Sequence, residues 1–194
     1  MNWLTLWKIS RKFFEFPKGG DLPVRSQGSR WINHKRKALQ RVVDRYGAYL
    51  NHLLTLIEDP SVKSDDRARL KGYVQKWKQP RMLIGAALYV DVLKCPSILS
   101  LTLQEDYLDI VGGIKYILKS TKSLQSMLSD DDPLHWPTIK LVTSRIKEDD
   151  DQHVYQGTIL QGYSSAILQQ CGKHATADLK RLVHEMKSRL EWSN

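Results

Sequence analysis

The side chains best suited to chemistry in this chain are Arg30 and Trp31, followed by Lys35, Arg36, Lys37, Arg41 and Arg45. A guanidinium beside a large indole, where a loop turns into a helix, suits stacking on bases and gripping phosphate. A row of fixed positive charge behind that pair would hold a polyanion in place. The same residues also fit a plainer role. Trp31 can anchor the helix start with Arg30 laid over it, and the other cations can be a solvated face.

Other constellations carry less. Asp130 to Asp132 and Glu148 to Asp151 are acidic runs. Two divalent ions clamping a scissile phosphate need acids converging from separate elements, usually strand ends. Neighbouring acids at helix boundaries instead bind water and cap helices. Cys171 and His174 lie three apart on one helical face, half of a zinc site, with His184 or Cys95 as the remaining donors. No second paired motif completes it, and Cys171 falls at a core position, where a thiol packs as a small apolar group. His34, His52, His135 and His153 follow no spacing pattern. Gly112-Gly113 follows no strand and lies inside a helical repeat. No catalytic residue, metal ligand or cofactor is expected.

The elements that position these residues read as helices. Trp3, Leu6, Trp7, Phe13 and Phe14 fall near helical spacing around Lys8, Arg11 and Lys12, and the segment stops by Pro17. A turn-rich stretch leads to Ser29, the expected N-cap of a helix carried by Leu39, Val42, Val43, Tyr46, Leu50, Leu53, Leu54 and Ile57. Glu58-Asp-Pro60 stops it. Ser64 caps a helix burying Leu70, Tyr73, Val74 and Trp77. Pro80 opens another, apolar nearly all round to Leu93, and Pro96 is expected to divide it from Ile98 to Leu103. A longer helix over about Asp106 to Leu128 turns Ile110, Ile114, Ile117, Leu118 and Leu124 inward. Trp136-Pro137 starts a helix through Ile139, Val142 and Ile146. Val154 to Leu160 is the one extended stretch, too isolated for a sheet. The last helix runs from about Ser165 to Trp192. The expected fold is therefore mainly α, an irregular multi-helix bundle with at most one short strand or hairpin. Residues 1–28 form an amphipathic helix and linker, and residues 29–194 one helical domain.

With 194 residues the chain can bury one core, and 41% apolar with 26% charged residues is ordinary for a globular protein. No apolar run approaches the ~18 residues of a membrane span, so an intracellular place is expected. Two cysteines are too few for a disulfide framework. The net charge of +9 is uneven. Up to Arg81, eighteen Lys and Arg stand against seven Asp and Glu, a surplus of +11; beyond it twelve stand against fourteen, a deficit of −2. Such asymmetry points to a polyanionic partner at the basic end.

Ser29-Arg-Trp31 at a helix start resembles the Arg-Trp motif of hAT-superfamily DNA transposases, which Ser or Thr precedes. Four longer stretches, Asp21 to Trp31, Asp44 to Tyr49, Arg67 to Tyr73 and Ala87 to Lys94, are similar to transposase-derived host proteins of that type. These are zinc-finger proteins with a degenerate ribonuclease H-like region. The resemblance runs from about Phe16 to the C-terminus. It implies a ribonuclease H-like core interrupted by a large helical insertion, with the Arg-Trp motif near the insertion's start. Its Trp is implied to contact flipped or hairpin-end DNA, a role that falls on Trp31 with Arg30 beside it. The family's two catalytic aspartates precede the motif. Here only Asp21 stands in that region, in a turn next to Pro23, and Glu191 is not assignable to the family's third acid. The zinc finger and dimerisation segment have no counterpart. The chain is thus expected to be a non-catalytic remnant, nuclear, that binds nucleic acid, DNA ahead of RNA. The alternatives are a protein-interaction module or self-association through exposed apolar helix faces, a transposase remnant without function, and a membrane-surface role for Met1 to Phe16.

Overall fold

The computed structural model describes residues 31–105, 107–129 and 132–191. The amphipathic segment from Trp3 to Phe14, the Ser29 cap and Arg30 lie outside the described residues. In chain order the helices are α1 (Trp31–Asp44), α2 (Tyr46–Glu58), α3 (Ser64–Trp77), α4 (Pro80–Thr102), α5 (Ile110–Ser129), α6 (Pro137–Ser144) and α7 (Ser165–Glu191). A 3-10 turn (Pro133–His135) precedes α6. Strands β1 (Lys147–Asp149), β2 (Gln152–Tyr155) and β3 (Thr158–Ile159) separate α6 from α7. The mainly α, multi-helix architecture is the one expected.

Helix α4 is the axis of the molecule. Its residues Leu83, Ile84, Ala86, Ala87 and Leu88 are buried whichever side they face, because α1, α5, α6 and α7 all pack on it. A helix apolar all round must be surrounded, and this one is. By length and hydropathy it equals a membrane span, more apolar than the sequence reading allowed, yet 61% of its most apolar window is buried inside the fold. Asp91 interrupts that window. Its carboxylate accepts hydrogen bonds from the backbone N–H of Thr138 (2.9 Å) and Ile139 (3.3 Å) and from the Thr138 hydroxyl (2.6 Å). The Asp91 side chain thereby caps α6 across space, at an end where Trp136 and Pro137 have no capping oxygen. Burial outweighs those bonds and pushes its carboxyl above the usual aspartate range.

Ser64 is the first residue of α3, with Lys63 at the N-cap position and no side-chain capping bond, so it is not the expected cap. Four larger expectations also need correction. Pro96 does not end the helix: α4 continues to Thr102, with Pro96 and Ser97 buried. Proline removes one intrahelical bond, and the surrounding helices hold α4 together across that gap. The single helix expected over Ser29 to Ile57 is two, broken at Arg45 (φ −123°, ψ 28°). The acidic run at 148–151 and the extended stretch after it form a three-stranded antiparallel sheet in the order β1-β2-β3. Lys147 pairs with Val154, and Tyr155 with Thr158. Both turns have two central residues at positive φ, Asp150-Asp151 (44° and 60°) and Gln156-Gly157 (48° and 75°). That is the turn geometry that matches strand twist, so short strands pair without a larger sheet.

The fourth correction is the inner face of α5. Ile110, Ile114 and Leu118 are exposed and Ile117 is half-buried, so only Leu124 of the expected set is fully inside. The buried positions are Gly113, Ser120, Thr121 and Leu124. Small residues win that face because α4 comes close. The Cys95 sulfur lies 3.0 Å from the Ser120 hydroxyl, and the Leu103 side chain reaches over Gly113. The larger side chains are left facing out.

Candidate nucleic-acid interface

Helix α1 carries four of the candidate cations, Lys35, Arg36, Lys37 and Arg41, and Arg45 follows at the break after it. Its inner side is set by Asn33 and Val43, both buried, and by its long packing against α4. The Ser97 hydroxyl donates to the Asn33 side-chain oxygen (3.0 Å), tying the start of α1 to the far end of α4. At the other end the chain passes Tyr46, whose hydroxyl donates to the carbonyl of Trp77, just before α4 begins. The two helices therefore run antiparallel.

This packing sorts the basic residues. Lys37, Arg41 and Arg45 are four apart and share the outer side, with Lys37 and Arg45 exposed and Arg41 half-buried. Arg36 is three residues from Asn33 and seven from Val43, so it belongs to the inner side. Its Nε is buried without a hydrogen-bond partner among the described residues. Lys35 is half-buried between the two sides. Trp31 is the first helical residue, and its side chain is outside the description, as is Arg30. Lys37 and Arg41 on α1, with Arg45 at the break, thus form an outer line, and Arg36 lies on the inner side.

The break at Arg45 fixes the end of that line. Backbone bonds still run from the Arg45 N–H to the Arg41 carbonyl (2.9 Å) and from the Tyr49 N–H to the Arg45 carbonyl (3.0 Å). The β2–β3 turn supplies the remaining partners. The Gln156 amide donates to the carbonyls of Val43 (3.2 Å) and Asp44 (3.1 Å), and its oxygen accepts from the Gly47 N–H (3.3 Å). The Tyr155 hydroxyl also donates to Val43 (3.1 Å). One side chain closes the C-terminal end of α1 and the N-terminal end of α2 together. Gly47 is required there, since any β-carbon would collide with the Gln156 carbonyl. Beneath, Tyr46 stacks on Trp77 (ring centroids 5.2 Å apart), and Tyr155 meets Tyr46 edge-on at 6.0 Å. Burial pushes the Tyr46 phenol upward, keeping it a neutral donor.

The sequence reading missed Tyr155 and Gln156 as the residues that position Arg45. The signal was present in Gln156-Gly157, a two-residue turn dipeptide inside a strand-like run. The acidic tip Asp150-Asp151 stands at the opposite end of β2, roughly 13 Å away at strand rise, so it does not fold over the Arg45 junction.

The other candidates are not assembled. Among the described residues no three His, Cys, Asp or Glu side chains gather as metal ligands. Cys171 is half-buried, with its thiol pushed up by burial, and His174 is exposed one turn on. Asp178 holds the Tyr89 hydroxyl and the Arg181 guanidinium (2.9 Å), fastening α7 to α4. No family model, curated protein or solved structure matches this chain.

Proposed function

We propose that this chain is a non-catalytic, transposase-derived helical domain that binds nucleic acid, DNA ahead of RNA, in the nucleus. The outer line Lys37, Arg41 and Arg45 carries this reading. It spans roughly 12 Å at helical rise, long enough to face several phosphates of one strand at ~3.4 Å of axis each. Arg30 and Trp31 precede these residues in the sequence, and in this reading the indole stacks on a base. Lys35 adds charge at the margin of the line. Arg36 is given no phosphate contact in this reading, because it lies toward the inner side with its Nε buried. The likeness of the Ser29 to Trp31 segment to the hAT Arg-Trp motif supports the same end of the same helix. No cofactor enters this reading.

The test is binding of a fluorescent oligonucleotide across a salt series. Three or four phosphate contacts give a slope of log affinity against log salt near −3, since each contact adds about −0.9 on duplex. Replacing Lys37, Arg41 and Arg45 together by Glu should abolish binding. The equally charged control, Lys173→Glu with Lys180→Glu and Lys187→Glu on exposed positions of α7, should bind nearly as the parent does. Affinity that ignores salt, or equal loss in both triple variants, removes the proposal.

A further inference from the structure

Helices α4 and α5 form an antiparallel hairpin, with Cys95 against Ser120 and Leu103 over Gly113. Its closed end is unusually apolar on the outside. Tyr107 is fully exposed, Ile110 is 83% exposed, Val111 60% and Ile98 58%, with Leu101 and Leu103 beside them. Large apolar side chains scattered singly over a surface need no explanation, but a group at one end of one hairpin marks a surface that something covers.

We propose that the occupant is the chain's own N-terminal segment, Trp3 to Phe16, docked on this end of the hairpin. Position is the first reason. The Asn33–Ser97 hydrogen bond places the start of α1 within one turn of Ile98 and Leu101, so the point where the preceding chain joins α1 is beside the patch. Composition is the second: Trp3, Leu6, Trp7, Phe13 and Phe14 repeat at helical spacing, an apolar stripe the size of a short amphipathic helix. Reach is no obstacle, since the fourteen residues from Pro17 to Arg30 extend to about 45 Å at most. Charge is the third. Lys8, Arg11 and Lys12 accompany the stripe, while exposed Glu105 and Asp109 flank the patch. The docking would bury the apolar stripe against the patch and pair opposite charges at the rim.

Hydrogen exchange on the full chain tests this directly. Backbone amides of residues 3–14 should exchange at least about tenfold slower than an unstructured peptide of the same sequence. Ile110→Asp with Val111→Asp, at exposed positions, should return residues 3–14 to the unstructured rate while exchange in α1, α4 and α7 stays as in the parent. The reciprocal variant, Trp7→Asp with Phe14→Asp, should make the chain bind a hydrophobic-surface dye that the parent ignores. Free exchange of residues 3–14 in the parent overturns the proposal, as does protection that survives Ile110→Asp with Val111→Asp. A parent that is dimeric by light scattering, becomes monomeric in that variant and leaves residues 3–14 unprotected assigns the patch to a second copy instead.

Discussion

Asp91 shows how one polar residue can be retained at the centre of an apolar helix. Only 4% of its surface is exposed, yet three donors from Thr138 and Ile139 converge on it. Replacing it by Ala removes a cap and strands buried N–H groups, for a cost of about 2–4 kcal/mol by urea denaturation. Its carboxyl is raised by burial, so the folded state binds its proton more tightly than the unfolded chain does. Stability from this group is therefore greatest in acid and declines as pH rises from the ordinary aspartate value near 3.9 through the raised folded value. Asp91→Asn cannot titrate. The stability difference between parent and Asn variant, followed from about pH 3 to about pH 8, should shift against the parent across that interval and then level off. A difference that is constant with pH contradicts the raised carboxyl.

At the scale of elements, the α1–α2 break depends on a turn more than a hundred residues downstream. Gln156 satisfies groups on both sides of the break, and Gly47 leaves room for its backbone. Gln156→Ala should destabilise the fold by about 1–3 kcal/mol, because the Asp44 carbonyl and the Gly47 N–H lose their side-chain partner and the Val43 carbonyl keeps only Tyr155. Gly47→Ala should cost at least as much, since the clash involves backbone and only a shift of the whole turn relieves it. Both variants should also weaken oligonucleotide binding beyond their stability loss if Arg45 works from a fixed position. Chemical denaturation and binding, measured on the same samples, separate the two effects.

At the scale of the molecule, α4 joins the parts. The first and last helices of the described residues, α1 and α7, pack on it, so the described residues share one core. Leu83, wholly buried on α4, is a suitable probe: Leu83→Ala should cost about 2–5 kcal/mol and shift the unfolding of every helix together. Unfolding in separate steps would show that α1 and α7 belong to independent units.

The helical class, the central place of the Met82 to Leu93 segment, and the starts of α6 and α7 followed from the sequence alone. Each rests on periodicity or on a local signal such as Pro137, read within a few residues. The rest needed three dimensions. Lys35, Arg36, Lys37, Arg41 and Arg45 look equivalent along one expected helix until α4 claims the side that holds Arg36. Ile110, Ile114 and Leu118 look like a core stripe until the close approach at Cys95 and Ser120 favours small side chains. Pro96 and Arg45 show the same in reverse, one failing to end a helix and the other ending one without a breaker residue. Periodicity reports which faces are apolar. Which face is buried, and where a helix breaks, depends on neighbours distant in the chain, because burial and hydrogen-bond satisfaction are properties of the packed whole.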